Sequence, residues 1–280
     1  MIVCCGAGGV GKTTTAAALG IAGARMGRKV LILTIDPAKR LAQALGVDAT
    51  VRHPVPLASE RLALLGISSG SLHTWMLSPD VVFEDLVRRL APSPAQADAI
   101  VRSRLFRNLS ELVSGMQEYT AAEALYELSS TGAYDLIILD TPPARNALDF
   151  LDAPGKLAKF IDEKVMRFFL PSKHGALFRA ATELAGTVFS KILGPEFFIE
   201  IQEFLSAFGG MFAPMKRHAE GVRSLLKSKD ATFVLITSPD QAAMSDARYF
   251  QARISKMGLP FAGFILNRSW ARADGYESPE

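Results

Sequence analysis

The sequence predicts an α/β fold, in which helices cover both faces of a parallel sheet. Three observations predict it: short apolar runs recur along the chain, helical stretches separate them, and a glycine-rich loop joins the first run to the first helix. Strands that are apolar throughout, rather than alternating, are typical of parallel sheets buried on both faces. The chain has 280 residues, 49% of them hydrophobic, which is enough for one large core or for a core with a subdomain.

Six strands are predicted, at residues 1–5, 29–35, 62–67, 134–139, 232–237 and 261–266. The alanine-rich stretch 13–26 predicts the first helix, and residues 241–257 predict the last. One domain is expected over 1–280, with helical insertions at about 72–130 and 151–229. Since the carboxyl ends of parallel strands share one edge, the polar residues that follow these strands should converge there.

The loop after the first strand has the pattern Gly-x4-Gly-Lys-Thr, which binds phosphate in nucleotide hydrolases. Its glycines let backbone N–H groups face one concavity, and the next helix adds partial positive charge. We therefore expect ATP or ADP with Mg²⁺, and a parallel-sheet P-loop NTPase fold that carries an inserted helical subdomain. Lys12 should reach the β- and γ-phosphates, and the Thr13 hydroxyl should ligate Mg²⁺. The expected nucleotide-binding residues of the loop are Gly8, Gly9, Val10, Gly11, Lys12, Thr13 and Thr14.

Polar residues follow four other predicted strands. Asp140 is expected to hold Mg²⁺, because an aspartate after an apolar strand is the usual second anchor of that ion. Taken alone, Asp36 could instead be a helix cap or a turn residue, and Asn267 could be a turn residue. Pro239 follows the strand at 232–237.

Three of these segments, GAGGVGKTT, DPAKRLAQ and DTPP, together resemble the ArsA family. That family contains arsenite-pump ATPases and the ATPases that target tail-anchored membrane proteins. The resemblance covers nearly the whole chain and implies an Mg-dependent ATPase. It implies a dimer whose nucleotide state reshapes an apolar helical subdomain. By matching position, Asp36 would be catalytic and orient the attacking water, and Asn267 would bond the adenine edge. Pro239 is expected at the nucleotide because it follows a strand at the ligand-binding edge of the sheet.

The sequence departs from the family at several positions. Ala7 stands where the family usually has a lysine that reaches the partner's nucleotide. We therefore expect a heterodimer with a homologous ATPase chain, in preference to a homodimer. A glycine of the family's second switch is missing around Arg145, so a weakly hydrolysing regulatory subunit is an alternative. Family members also continue into another strand and helix after Asn267, so the C-terminal end of the family fold is expected to be missing.

Phenylalanines concentrate in the second helical insertion, where residues 150–212 hold 11 of the 17. These side chains could pack into a core, or could form an apolar groove for a hydrophobic helix of a client or membrane protein. A membrane-surface helix is less favoured, because acidic residues interrupt the segment and it lacks a basic face.

Composition disfavours several other classes of protein. The net charge is only +3, and no block of Lys and Arg indicates a nucleic-acid partner, which weighs against a relative that partitions DNA or positions septa. Cys4 and Cys5 are adjacent, so no zinc or arsenite site is expected, and both are predicted to be small buried residues. We find no leader and no membrane-spanning run, and so expect a cytoplasmic protein.

Overall fold

A computed structural model describes residues 1–35, 41, 52–103, 106, 116–141, 194 and 211–269. Seven strands form one sheet, in the order β3-β4-β2-β5-β1-β6-β7. They are β1 Ile2–Gly6, β2 Lys29–Thr34, β3 Val55–Pro56, β4 Ser71–Met76, β5 Leu136–Asp140, β6 Thr232–Thr237 and β7 Phe261–Leu266. Every neighbouring pair is parallel except β3 with β4. The predicted α/β fold with a parallel sheet is confirmed.

Seven helices lie in the described parts of the chain: α1 Lys12–Arg25, α2 Ser59–Leu64, α3 Pro79–Leu90, α4 Pro94–Arg102, α5 Met116–Ser130, α6 Phe212–Lys227 and α7 Gln241–Met257. Local signals mark their ends. Ser93 caps α4 by accepting from the Gln96 N–H, and Asp240 caps α7 by accepting from the Ala243 N–H. At its other end α7 stops at Gly258, which has a φ of 67°.

The strand predicted at residues 62–67 is wrong. Residues Ser59–Leu64 form α2, in keeping with a stretch of Glu, Arg, Leu and Ala that contains no β-branched residue. The strand beside β2 is instead β4, which contains Ser, His and Thr and so does not stand out as an apolar run. The helical insertion was expected from about residue 72, but Ser71–Met76 form β4 and the next helix begins at Pro79.

The entry into β4 depends on a close contact between backbones. A Cβ at Gly70 would lie 2.0 Å from the Ala24 carbonyl oxygen and 2.7 Å from that of Arg28. Because both neighbours are backbone atoms, a side chain could be accepted only if the chain moved. Gly70 thus allows β4 to pass the end of α1 and reach its place beside β2.

The centre of the sheet is fully enclosed. Val30, Leu31, Ile32 and Leu33 of β2 are all 0% exposed, as expected for a strand covered on both faces. Helix α1 packs closely on this centre: a Cβ at Gly20 would lie 2.5 Å from Ile32 Cδ1. This packing places the start of α1, and the loop before it, at the carboxyl edge of the sheet.

The chain divides into two compact units. The first takes in residues 1–78, 121–151 and 222–280, and it contains the whole sheet. The second takes in residues 79–120 and 152–221. In the second unit Phe83 stacks on Phe106, with ring centroids 5.0 Å apart, and Arg88 binds Glu84 and Asp98.

The predicted phenylalanine-rich segment lies almost wholly outside the described residues. Met211 and Met215, at its end, are fully buried. Among the described residues, no helix has the length and apolar character needed to cross a membrane.

Candidate nucleotide-binding site

The loop between β1 and α1 has a sharply curled backbone. Gly6 ends β1 against β6, where a Cβ would lie 2.1 Å from the Ile236 carbonyl oxygen. Gly11 precedes α1 with a φ of 90°, in the left-handed region. Gly11 also provides no side-chain cap, so the first turn of α1 keeps backbone N–H groups for a ligand.

The middle of the loop is open. Gly8 and Gly9 are exposed, and no atom lies within 4 Å of the positions where their Cβ atoms would be. Side chains there would fill the space in front of the loop. The two glycines therefore leave a cradle into which a phosphate can come close to the backbone.

The ammonium group of Lys12 is held across this loop. Lys12 is 8% exposed, and its Nζ donates a hydrogen bond of 2.8 Å to the Ala7 carbonyl oxygen. The lysine side chain is thus folded back over the loop to which it belongs. An anion in the cradle would meet a positive charge that is already in place.

A carboxylate lies at the end of the neighbouring strand. Asp140 is 0% exposed, and its Oδ2 accepts a hydrogen bond of 3.1 Å from the Thr34 hydroxyl. The sheet register brings the two together, because Thr34 of β2 and Cys4 of β1 both lie beside Asp140. Burial of a carboxylate is costly, so a carboxylate retained at this edge indicates a functional position.

The hydroxyl of Thr141 completes this edge of the sheet. It donates a hydrogen bond of 2.8 Å to the Cys4 carbonyl oxygen, next to β1. Sequence reasoning missed the roles of Thr34 and Thr141. The signal for both was a threonine next to the boundary of an apolar strand, which is too common to single out a residue.

Two buried cysteines of β1, Cys4 and Cys5, lie beside these groups, since Cys4 pairs with Asp140 in the sheet. Burial raises the pKa of the Cys5 thiol to about 12; a hydrogen bond with Thr141 and the charge of Lys12 act in the opposite sense, while the charge of Asp140 adds to the rise. Burial also raises the pKa of Cys4. Both thiols are therefore protonated at neutral pH, and the prediction that both are buried is confirmed.

The ends of β6 and β7 bring further predicted residues to the same edge. Asn267 donates through its backbone N–H to the Thr237 carbonyl oxygen, at 2.8 Å. Its side-chain Nδ2 donates to the Val10 carbonyl oxygen of the phosphate loop, also at 2.8 Å. Pro239 is exposed, two residues after the end of β6.

The remaining predicted residues fall into two groups. Thr13 is half-buried and Thr14 exposed, both in the first turn of α1. Asp36 lies outside the described residues, as does Arg145. Lys12, Asp140 and Asn267, far apart in the sequence, are thus brought to the carboxyl edge of one sheet.

Comparison with known proteins identifies the family of this chain. A sequence model described as "Anion-transporting ATPase" matches residues 1–275. An "ATPase GET3" of Malassezia globosa is 26% identical over an alignment 282 residues long, gaps included, which covers 95% of this chain and 72% of that protein. An "ATPase GET3" of Chaetomium globosum is 30% identical, over 94% of this chain and 71% of that protein.

A third relative is an uncharacterized protein of Streptomyces coelicolor. It is 26% identical over 94% of this chain, and the match covers 60% of its own length. A matching family model over nearly the whole chain, relatives named as ATPases and a phosphate loop at the edge of a parallel sheet agree with one another. The chain therefore belongs to the anion-transporting ATPase family and is a P-loop ATPase.

Proposed function

We propose that the chain binds Mg-ATP on the loop between β1 and α1 and hydrolyses it while paired with a homologous ATPase chain. The observation that carries the proposal is the position of Lys12, whose Nζ is held 2.8 Å from the Ala7 carbonyl oxygen across an open glycine cradle. Phosphoryl transfer depends mainly on positioning and charge stabilisation, and this loop supplies both.

On nucleotide binding, Lys12 exchanges its hydrogen bond to the Ala7 carbonyl oxygen for bonds to phosphate oxygens. The hydrogen bond to Ala7 keeps the ammonium group over the loop, and phosphate oxygens replace the carbonyl when nucleotide enters. Bonds from a cation to phosphate are stronger than those to a neutral carbonyl, so the exchange favours binding. Backbone N–H groups of the loop and of the first turn of α1 then hold the other phosphate oxygens.

The donor set fits a magnesium ion. Mg²⁺ prefers hard oxygen ligands, and the candidates are the Thr13 hydroxyl and the Asp140 carboxylate. When bound, the ion would neutralise charge on the β- and γ-phosphate oxygens. Thr34 orients Asp140 through its hydrogen bond to Oδ2, and burial of both residues keeps competing water away from that contact.

Three other parts of the proposal come from the resemblance to the family. Asp36 would orient the water whose oxygen attacks the γ-phosphorus, as the bond to the β-phosphate oxygen breaks. Closure of a dimer around nucleotide would reshape the helical subdomain and so act on a hydrophobic helix of a client. Asn267 would contact the adenine edge. Pro239 is a further candidate nucleotide contact, because it follows β6 at the same edge of the sheet.

The proposal is tested by removing the charge of Lys12. We expect Lys12→Ala to abolish Mg-ATP binding at micromolar protein, measured by titration calorimetry, because the cradle loses its cation. Lys29→Ala is the matched control, since Lys29 lies on β2 with its Nζ over the Tyr134 ring, 5.2 Å from the ring centroid. Unchanged affinity in Lys12→Ala, with a native melting temperature, would overturn the assignment of the loop.

A further inference from the structure

The side chain of Asn267 joins two segments that are 257 residues apart in the sequence. Its Nδ2 donates to the Val10 carbonyl oxygen at 2.8 Å. Since a carbonyl oxygen only accepts, the nitrogen of the amide must be the atom that faces it. The acceptor Oδ1 is left as the atom of this side chain that can meet a ligand.

This hydrogen bond sets the direction of one peptide group in the phosphate loop. In a trans peptide the C=O and the following N–H point in opposite directions. When Asn267 holds the Val10 oxygen on one side, the Gly11 N–H faces the other side. An N–H that faces the cradle is a phosphate donor, whereas a flipped peptide would present a carbonyl oxygen and repel the anion.

The structure around this contact leaves it little freedom. The Val10 side chain is 2% exposed, and the backbone N–H of Asn267 is bound to Thr237 at the end of β6. A Cβ at Gly11 would lie 2.3 Å from Asn267 Nδ2, so the approach requires glycine there. The chain turns directly after Asn267, at Arg268, whose φ of 56° is in the left-handed region.

We propose that Asn267 is a positioning residue that holds the Val10–Gly11 peptide from the end of β7 and so aims the Gly11 N–H at the phosphates. The inference rests on the proposed nucleotide site and adds a role for Asn267 that needs no base. A role at adenine alone would affect ATP but not a ligand that consists only of phosphates. Tripolyphosphate with Mg²⁺ separates the two roles.

The experiment measures the affinity of the whole chain for Mg-tripolyphosphate and for Mg-ATP. The variants are Asn267→Ala and Asn267→Asp, of which the second keeps the shape but places an acceptor against the Val10 oxygen. We expect both to weaken tripolyphosphate binding about tenfold or more, with Asn267→Asp the weaker binder. Ser228→Ala is the control, because it removes a hydrogen bond from a side chain to the Leu225 carbonyl oxygen at the end of α6.

A second readout reports on the peptide itself. The Gly11 amide resonance should shift on addition of tripolyphosphate to the unmodified chain and should lose that shift in Asn267→Asp at a temperature where the variant is folded. Loss of ATP affinity with unchanged tripolyphosphate affinity and an unchanged Gly11 shift would overturn the inference and leave the nucleotide site standing. Failure of the unmodified chain to bind either ligand would instead overturn the proposed function, and this inference with it.

Discussion

Burial of the Asp140 carboxylate lowers the stability of the chain, yet it puts an oxygen ligand at the carboxyl edge of the sheet. The carboxylate is fully buried at the end of β5, and the hydroxyl of Thr34 lies 3.1 Å from Oδ2. A buried charge is tolerated where hydrogen bonds or a cation compensate for the lost water. The Thr34 contact is therefore important both to the stability of the chain and to the orientation of a proposed metal ligand.

Replacement of Thr34 tests this pair. Thr34→Val keeps the shape but removes the donor, and should lower the free energy of unfolding by about 1–3 kcal/mol. Measured by urea unfolding, the decrease in the free energy of unfolding should be larger without Mg-ATP than with it, because a bound Mg²⁺ would itself stabilise the buried Asp140 carboxylate. Thr34→Ser is the control, because it keeps the hydroxyl. Equal stability of the Val and Ser variants would show that the hydrogen bond contributes little.

Among the helices, α7 follows β6 at the carboxyl edge of the sheet and begins with a charged cap, Asp240. Asp240 accepts from the Ala243 N–H at 2.8 Å and also from the Ser238 hydroxyl. The Ser238 hydrogen bond, followed by the one from Ala243, holds the pKa of Asp240 below its ordinary value of 3.8. A carboxylate at a helix N-terminus also interacts favourably with the helix dipole.

The lowered pKa of Asp240 predicts the direction in which the stability of the fold changes with pH. A group with a depressed folded-state pKa stabilises the fold above its unfolded pKa, and the benefit is lost as the pH falls through the folded value. Asp240→Ala should therefore lower the melting temperature near neutral pH, and the difference from the unmodified chain should shrink below about pH 3.8. Asp240→Asn also removes the titrating group, so its difference should change with pH to the same extent, but it keeps a neutral cap and should be smaller than that of Asp240→Ala at every pH. A difference for Asp240→Ala that does not change with pH would contradict the charged cap.

At the scale of the whole molecule, Ala7 raises the question of the partner. The family usually has a lysine at this position, and here the methyl group packs against the hydrophobic cluster under the loop while the Ala7 carbonyl accepts from Lys12. A cation from a partner chain can raise the rate of phosphoryl transfer by about 10³ to 10⁵. A homodimer of this chain would lack it in both sites, which favours a heterodimer.

Turnover by the chain alone distinguishes these assemblies. We expect slow ATP hydrolysis by the unmodified chain and at least about tenfold faster hydrolysis by Ala7→Lys. Ala133→Lys adds the same charge at an exposed turn and serves as the control. Fast hydrolysis by the unmodified chain, in the absence of any other ATPase chain, would show that no partner lysine is needed.

Local patterns were sufficient for the features that depend on neighbouring residues. The phosphate loop was predicted from the spacing of its glycines and Lys12, because these residues lie within a few positions of one another in the sequence. The strands at β1, β2, β5, β6 and β7 were predicted within one or two residues, since each is a mostly continuous apolar run. Burial on both faces explains such a run in β1, β2 and β5, whereas β7 lies at the edge of the sheet and leaves Phe264 46% and Leu266 50% exposed.

Contacts between distant segments were decided by the tertiary structure. Residues 62–67 are as apolar as a strand, yet the place beside β2 belongs to the more polar β4, because pairing and the close passage at Gly70 select it. The contacts of Asp140 with Thr34 and of Asn267 with Val10 join residues 106 and 257 positions apart. The sequence by itself predicted the candidate residues for phosphate chemistry and where most strands run. Only the tertiary structure decided which of those residues meet, because the register of β2 with β5 and the approach of Asn267 to Val10 are long-range contacts that no local pattern records.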